Sequence, residues 1–203
     1  MNDASLAPSP WIVRWSHLLA PGATVLDVAC GSGRHMRWFA GRGHAVTGVD
    51  RSPEAIEAAA PHGRVLEADI EGGPWPFSGQ SFGGVVVTRY LWRPLLRDIV
   101  AAVAPGGVLL YETFALGNET VGKPSRPDFL LRPGEVLAVC ADLEVIAYEN
   151  GFLAAPERFV QRIAAVRPGP TAPAAPARHL LREPQALAAH PGAHPEPGGT
   201  ADQ

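Results

Sequence analysis

Residues 23–33, ATVLDVACGSG, decide how this chain is read. ATVLDVA is an apolar run of strand length with one acid, Asp27, near its end. Cys30-Gly31-Ser32-Gly33 then turns the chain, since glycine takes left-handed backbone without steric cost. RHMRWFAGRG (34–43) follows as a helix with Met36, Phe39 and Ala40 on one face. Strand, glycine turn and helix form the unit from which open α/β sheets are built. In those sheets ligands lie outside the carboxyl ends of the strands, where the winding reverses.

The same rhythm continues downstream. AVTGVD (45–50) leads into Ser52-Pro53-Glu54, a helix start. RVLEADI (64–70) precedes a Gly/Pro loop, and FGGVVVTRY (82–90) is the most apolar run. A helical pattern in Leu95, Leu96, Ile99 and Val103 follows, and Pro105-Gly106-Gly107 turns into VLLYETF (108–114). Upstream, Ser9-Pro10-Trp11 opens a helix expected to run through Leu19. Buried strands alternating with helices predict a parallel sheet covered on both faces. LEVIAYE (143–149) and RFVQRIAAVR (158–167) are joined only by NGFLAAPE, too short for a parallel crossover, so these two strands are expected to be antiparallel.

The chain has 203 residues and a net charge of -3, enough for one substantial core plus an appendage. Its charge argues against a mainly electrostatic hold on nucleic acid. Cys30 and Cys140 cannot form a disulfide framework and suit a reducing, cytoplasmic compartment. No signal peptide or membrane-spanning run is evident. Residues 168–203 hold eight of the 21 prolines and no aromatic residue, so they are expected to be a disordered Pro/Ala-rich tail after a domain at 1–167. His179, His190 and His194 fall there without a recurring ligand spacing, and no metal site is expected.

Each strand end supplies a candidate ligand group. Asp27 and the Ala29–Gly33 turn offer an acid and accessible backbone amides. Asp50 can accept from both hydroxyls of a ribose, and equally can serve as a helix-start partner near Ser52. Asp69 can accept from an adenine amino group while Ile70 covers the ring; Asp69 can also be an ordinary loop carboxylate. Together these positions fit an adenosine ligand, either a nicotinamide cofactor or S-adenosylmethionine. A pyrophosphate binder wants a third glycine where Met36 stands, and Asp27 suits an ammonium better than a pyrophosphate.

LDVACGSGRH, VTGVD, EADI, VVVTRYL and APGGVLLYETF, in that order and spacing, resemble the motifs of class I S-adenosylmethionine-dependent methyltransferases across about residues 10–167. YLWRPLL and YETFALGNETVGKPSRPDFLLRPGE also resemble a bacterial small-molecule subgroup loosely related to tellurite-resistance methyltransferases. The resemblance implies a Rossmann-like seven-stranded sheet in order 3-2-1-4-5-7-6 with strand 7 antiparallel. It implies S-adenosyl-L-methionine as cofactor, with Asp27, Ala29, Cys30, Gly31 and Gly33 at the methionine portion, Asp50 at the ribose and Asp69 and Ile70 at the adenine. Arg51 would flank the purine, and the Thr88 carbonyl would receive the ligand ammonium.

The methyl acceptor is then expected beyond the fourth and fifth strands, bounded by Arg89, Tyr90, Trp92, Arg93, Glu112 and Phe114. Arg89 and Arg93 can hold an anionic acceptor, and Tyr90 or Glu112 can accept or relay a proton. Solvated arginines, a strand-edge tyrosine and an ion-paired glutamate are equally open. The long connection 115–132, carrying Lys123, Arg126 and Asp128, is either a cationic lid or a solvated loop. Trp11 and Trp15, four apart, are expected to pack rather than to close the site. The expected function is methyl transfer to a small molecule by a monomer or weak homodimer. A non-catalytic cofactor-binding or regulatory protein is the alternative, and a nicotinamide oxidoreductase is more distant.

Overall fold

The computed structural model describes residues 7–170, 175 and 177–181. The strands are β1 (Val25–Val28), β2 (Val46–Asp50), β3 (Arg64–Glu67), β4 (Phe82–Thr88), β5 (Val103–Phe114), β6 (Glu144–Ala154) and β7 (Glu157–Val166). The helices are α1 (Pro10–Trp15), α2 (Arg34–Ala40), α3 (Pro53–Ala59), α4 (Leu96–Ala101) and α5 (Glu135–Val139). One seven-stranded sheet has the order β3-β2-β1-β4-β5-β7-β6. β1 to β5 pair in parallel, and β7 runs antiparallel to both β5 and β6. The winding reverses between β1 and β4, which places a ligand crevice at their carboxyl ends.

Alternation along the central strands divides the core between the two faces. Val85, Val87, Leu109, Tyr111 and Ile163 pack with Ile99 of α4 and Val136 of α5. Val86, Leu110 and Ala164 pack with Trp11, Trp15, Met36 and Phe39 on the other face. Trp11 and Trp15 meet edge-on at 5.7 Å, and Trp11 Nε1 donates to the Ile163 carbonyl at 3.2 Å, so these rings pin α1 across the sheet. Losing such a buried ring costs about 3–5 kcal/mol.

Four boundaries differ from the sequence expectation. β3 ends at Glu67, leaving Ala68, Asp69 and Ile70 in a loop where they can face a ligand. α4 ends at Ala101, and Val103 opens β5, pairing with Phe82. The Pro105–Gly107 turn is therefore an irregularity within β5: pairing resumes at Gly84↔Val108, and the Gly106 N–H, on left-handed backbone, donates to the Arg167 carbonyl. The final hairpin is tighter than expected, since Asn150–Ala154 pair with Glu157–Gln161 and leave only Ala155 and Pro156 to turn. The first helix becomes 3-10 over Ser16–Leu18, where Ser16 Oγ bonds the Val13 carbonyl.

Of the C-terminal region, residues 177–181 lie against the domain: the Leu180 carbonyl meets His17 Nε2 at 2.9 Å, and His179 Nε2 is 3.6 Å from Glu144. The rest of the segment expected to be a disordered tail, His190 and His194 included, lies outside the described residues apart from 168–170 and 175. Among the described residues no helix is long and apolar enough to cross a membrane.

Candidate active site

The loop after β1 is built on left-handed backbone at Ala29 (φ 53°), Gly31 (φ 53°) and Gly33 (φ 75°). Gly33 is required twice over, because a Cβ there would lie 2.9 Å from Ala59 of α3. Cys30 turns inward: a Cβ on Gly48 would meet its Sγ at 2.8 Å, and burial pushes the thiol up to about 12. Cys30 can therefore offer a ligand only its backbone. Met36, fully buried beside Gly48 and Gly63, fills the place where a pyrophosphate binder needs glycine.

Asp27 is 1% exposed, and its Oδ2 has no hydrogen-bond partner among the described residues. Burial raises its carboxyl well above the usual range; Arg34 and the Met36 N–H pull down, and Asp50 pushes up. A buried carboxylate with a free oxygen beneath a glycine loop is prepared for a cation.

Two residues above Asp27, a cavity of about 180 Å³ is lined by Ala29, Asp50, Arg51, Ala68, Asp69, Ile70, Glu71 and Tyr90. Five of the residues expected at the cofactor thus line it together: Ala29, Asp50, Arg51, Asp69 and Ile70. Asp50 Oδ2 accepts from the Gly31 N–H at 2.8 Å, and Oδ1 accepts from the N–H groups of Arg51 and Ser52 at 2.8 and 3.0 Å. It acts as the helix-start partner and holds the glycine loop, which fixes its carboxylate toward the cavity. Asp69 Oδ1 accepts from the N–H groups of Glu71 and Gly72, and these bonds, Gly72 first, hold its carboxyl below the usual range. Ile70 is buried, and exposed Arg51 sits 3.9 Å from Glu71.

Tyr90 joins this cavity to a second, of about 270 Å³, lined by Glu71, Arg89, Tyr90, Leu91, Thr113, Phe114, Pro124 and Phe129. The Tyr90 hydroxyl is buried without a partner among the described residues, and burial, with Glu71 and Asp69, raises its ionisation. The hydroxyl is thus held in its neutral form, with its O–H uncommitted among the described residues. Arg89 is exposed and carries left-handed backbone (φ 55°). Ala29 and Arg89 are the two non-glycine residues in that conformation among those described, and they follow the two strands that flank the crevice.

Of the two readings open for Glu112, the bonding follows the ion-paired one. Glu112 points to the other face of β5 and lines neither cavity. Its Oε1 accepts from Ser9 Oγ at 3.0 Å and its Oε2 from Arg162 at 3.2 Å, so it is the ion-paired anchor of the N-terminal helix. Arg93 is likewise committed, bonding both carboxylate oxygens of Glu135 and the carbonyls of Asp128 and Leu130.

Residues 25–107 match the family model described as methyltransferase domain. The chain is 34% identical over 105 residues to malonyl-[acyl-carrier protein] O-methyltransferase of Serratia marcescens, covering 48% of this chain and 41% of that protein. It is 45% identical over 58 residues to thiopurine S-methyltransferase of Pseudomonas putida, covering 28% of this chain and 26% of that protein. The chain thus spans less than half the length of these relatives. The structure of TehB from Haemophilus influenzae superposes with a TM-score of 0.64 at 19% identity, covering 79% of this chain and 62% of that one. Over residues 25–107 the chain is thus similar to methyltransferase domains, and it shares the fold of the TehB structure.

The residues present fit the family's cofactor, S-adenosylmethionine. The unpartnered Asp27 Oδ2 and Tyr90 hydroxyl are orphaned polar atoms, and such atoms are costly unless a ligand or water satisfies them. Two residues near the crevice were passed over by sequence reasoning. His35 is buried, with Nε2 accepting from the Ser9 N–H and Nδ1 3.4 Å from Thr88 Oγ1; Arg34 reaches the same oxygen at 3.4 Å. Both residues stand in GSGRH, and their place at the start of α2, pointing along β4, was the available signal. The connection 115–132 is folded rather than open: buried Asn118 bonds the Phe159 N–H and the Pro124 carbonyl, and Ala115 pairs with Leu131. Lys123 is exposed, and Arg126 pairs with Asp128 on the surface, so the part of this segment that meets the site is Pro124 and Phe129.

Proposed function

We propose that this domain catalyses methyl transfer from S-adenosylmethionine to a small-molecule acceptor by in-line displacement. The observation that carries the reading is the junction of the two cavities at Tyr90, with the unpartnered Asp27 carboxylate below the first. Asp27 and the backbone of Ala29, Cys30, Gly31 and Gly33 would hold the methionine portion, with the Thr88 carbonyl receiving the ammonium. Asp50 would take the ribose hydroxyls, Asp69 and Ile70 the adenine, and Arg51 would flank it.

The cofactor when bound supplies a methyl group already activated on its sulfonium. The residues then need only align a nucleophile and exclude water. Tyr90 donates a hydrogen bond that orients the acceptor, and Arg89 holds the acceptor at the mouth. No carboxylate base is aimed into the acceptor cavity except Glu71 at the wall it shares with the cofactor cavity, so the acceptor enters ionised or loses its proton to solvent. The working unit is residues 1–167, and 168–203 is an appendage to it.

Incubation with methyl-labelled cofactor and a metabolite panel tests the reading. Label transferred to a small molecule, and lost in an Asp50→Ala variant with weakened cofactor affinity, is the expected result. Cofactor binding without transfer to any acceptor would favour the alternative, a binding or regulatory protein that does not turn over. Asp50→Ala affinity equal to the parent's would overturn the ribose assignment.

A further inference from the structure

We propose that the cavity beyond β4 and β5 selects a small organic monocarboxylate, with Arg89 gripping the carboxylate and Arg34 adding its charge from below. This deepens the methyltransferase reading above and rests on it.

The first observation is an inventory of cations. Among the described residues, Arg14, Arg51, Arg93, Arg126 and Arg162 each have a carboxylate within salt-bridge distance. Arg34 and Arg89 have none, and neither do exposed Arg42, Arg64 and Arg97; Arg34 differs from these in being half-buried, with a long hydrogen bond to Thr88 Oγ1 at 3.4 Å. The Arg34 and Arg89 guanidiniums also lie near enough that burial, and then Arg89, hold Arg34 below its ordinary range. Asp27 and Glu112 pull the other way without forming an ion pair with Arg34, and a bound anion would relieve the remaining repulsion.

The second observation is the cavity itself. Arg89 enters it on strained backbone, and apart from Glu71, Tyr90 and Thr113 the walls are the apolar Leu91, Phe114, Pro124 and Phe129. Its 270 Å³ suits a molecule of about one ring, with the apolar body between the aromatic side chains. Arginine's planar fork matches a carboxylate in two parallel hydrogen bonds.

Glu71 sets the limit on charge. It lines both cavities, so each further negative charge on an acceptor meets more repulsion from its carboxylate. That favours a singly charged carboxylate over a doubly charged phosphate monoester. Because Glu71 and Tyr90 belong to both cavities, a ligand anchored at Arg89 extends toward the cofactor side.

The test uses the full chain loaded with S-adenosylhomocysteine, whose own binding is measured first by calorimetry. Salicylate, 4-hydroxybenzoate and thiosalicylate are then titrated beside their methyl esters and beside phenyl phosphate. The expected result is that at least one acid binds, with its ester and phenyl phosphate at least about tenfold weaker. Arg89→Gln should erase the preference for acid over ester, and Arg89→Lys should keep part of it. Esters binding as well as acids, an undiminished preference in Arg89→Gln, or no acid binding to the loaded protein would each overturn the proposal. Failure to bind S-adenosylhomocysteine at all would instead overturn the methyltransferase reading on which it rests.

Discussion

The backbone N–H of Ser9 donates to Nε2 of His35 at 3.1 Å, tying the start of α1 to the start of α2 across 26 residues of sequence. Nε2 is therefore an acceptor, which puts the imidazole proton on Nδ1, facing Thr88 Oγ1 at 3.4 Å. The ring has to remain neutral to accept from Ser9. Burial, then Arg34 and Arg89, hold it down at about 3. The N-terminal helix is thus latched to the end of β4, beside the crevice.

That latch gives a stability profile with a fixed sign. A histidine whose folded value is depressed contributes stability that is full above its ordinary value of about 6.5 and is lost as pH falls toward the folded value. His35→Gln should cost about 1–3 kcal/mol at neutral pH, the range for disturbing a buried hydrogen-bonded group. It should also flatten the fall of melting temperature below about pH 6.5. Calorimetric scans of both proteins from neutral to mildly acid pH check this, and parallel profiles would refute the latch.

Asp27 titrates in the opposite sense. Its folded value is raised, chiefly by burial, so the unliganded domain keeps the protonated carboxyl's stability below the unfolded value near 4 and loses it as pH rises toward the folded value. Asp27→Asn should therefore stabilise the unliganded domain at neutral pH while weakening cofactor binding by at least about tenfold. If the cofactor ammonium requires the ionised carboxylate, binding releases a proton. The heat of binding then depends on the ionisation enthalpy of the buffer at pH values where Asp27 is still protonated. A buffer-independent heat across the acid range would show that Asp27 does not face the ammonium.

The fold was legible because its signals are local. Glycine at 31 and 33 and the apolar strands of four to seven residues from β1 to β4 each act within a few positions of sequence, whereas the reversal at 155–156 was read as the eight-residue link NGFLAAPE. The residues proposed for the cofactor line one cavity for a related reason, since they stand at consecutive strand ends. Side-chain direction on the long strand β5 was not legible. Glu112 and Thr113 are neighbours in sequence, yet one faces Ser9 and Arg162 and the other the acceptor cavity. Which face each takes depends on the irregularity near Pro105, which shifts the register with β4. The partner of Arg93 was not legible for a similar reason: Glu135 is 42 residues away, and only the packed segment brings them together.

The Arg93–Glu135 pair predicts how the acceptor side is held. Burial pushes Glu135 up, but the Arg93 hydrogen bonds and the Arg132 N–H outweigh it and leave the carboxyl below its usual range. Arg93 Nε and Nη2 reach the two carboxylate oxygens at 2.6 and 3.0 Å, and its remaining donors close on the Asp128 and Leu130 carbonyls. Lysine cannot reproduce that fork, so Arg93→Lys should lose about 1–3 kcal/mol. Proteolysis should then appear first within residues 116–131, and acceptor KM should rise more than kcat falls. Unchanged protease resistance would show that the segment is held by its apolar contacts alone.

Glu112 separates an anchor from a base. In the register of the sheet, Glu112 of β5, Arg162 of β7 and Glu149 of β6 stand side by side, with Arg162 between the two acids and 4.8 Å from the Trp11 ring. A general base contributes about 10²–10⁴-fold, so Glu112→Gln would slow turnover at least about a hundredfold if Glu112 took the acceptor proton. The observed bonding predicts turnover within about threefold of the parent, well inside that range. Arg162→Met should be far more damaging to stability than Glu112→Gln, by about 3–5 kcal/mol, because it strands the buried Glu112 carboxylate. Combining the two substitutions should recover part of that loss, since no charge is then left unpaired at Glu112. A strictly additive double variant in thermal unfolding would mean that the two side chains do not share this ion pair, and a hundredfold loss of turnover in Glu112→Gln would return Glu112 to the chemistry.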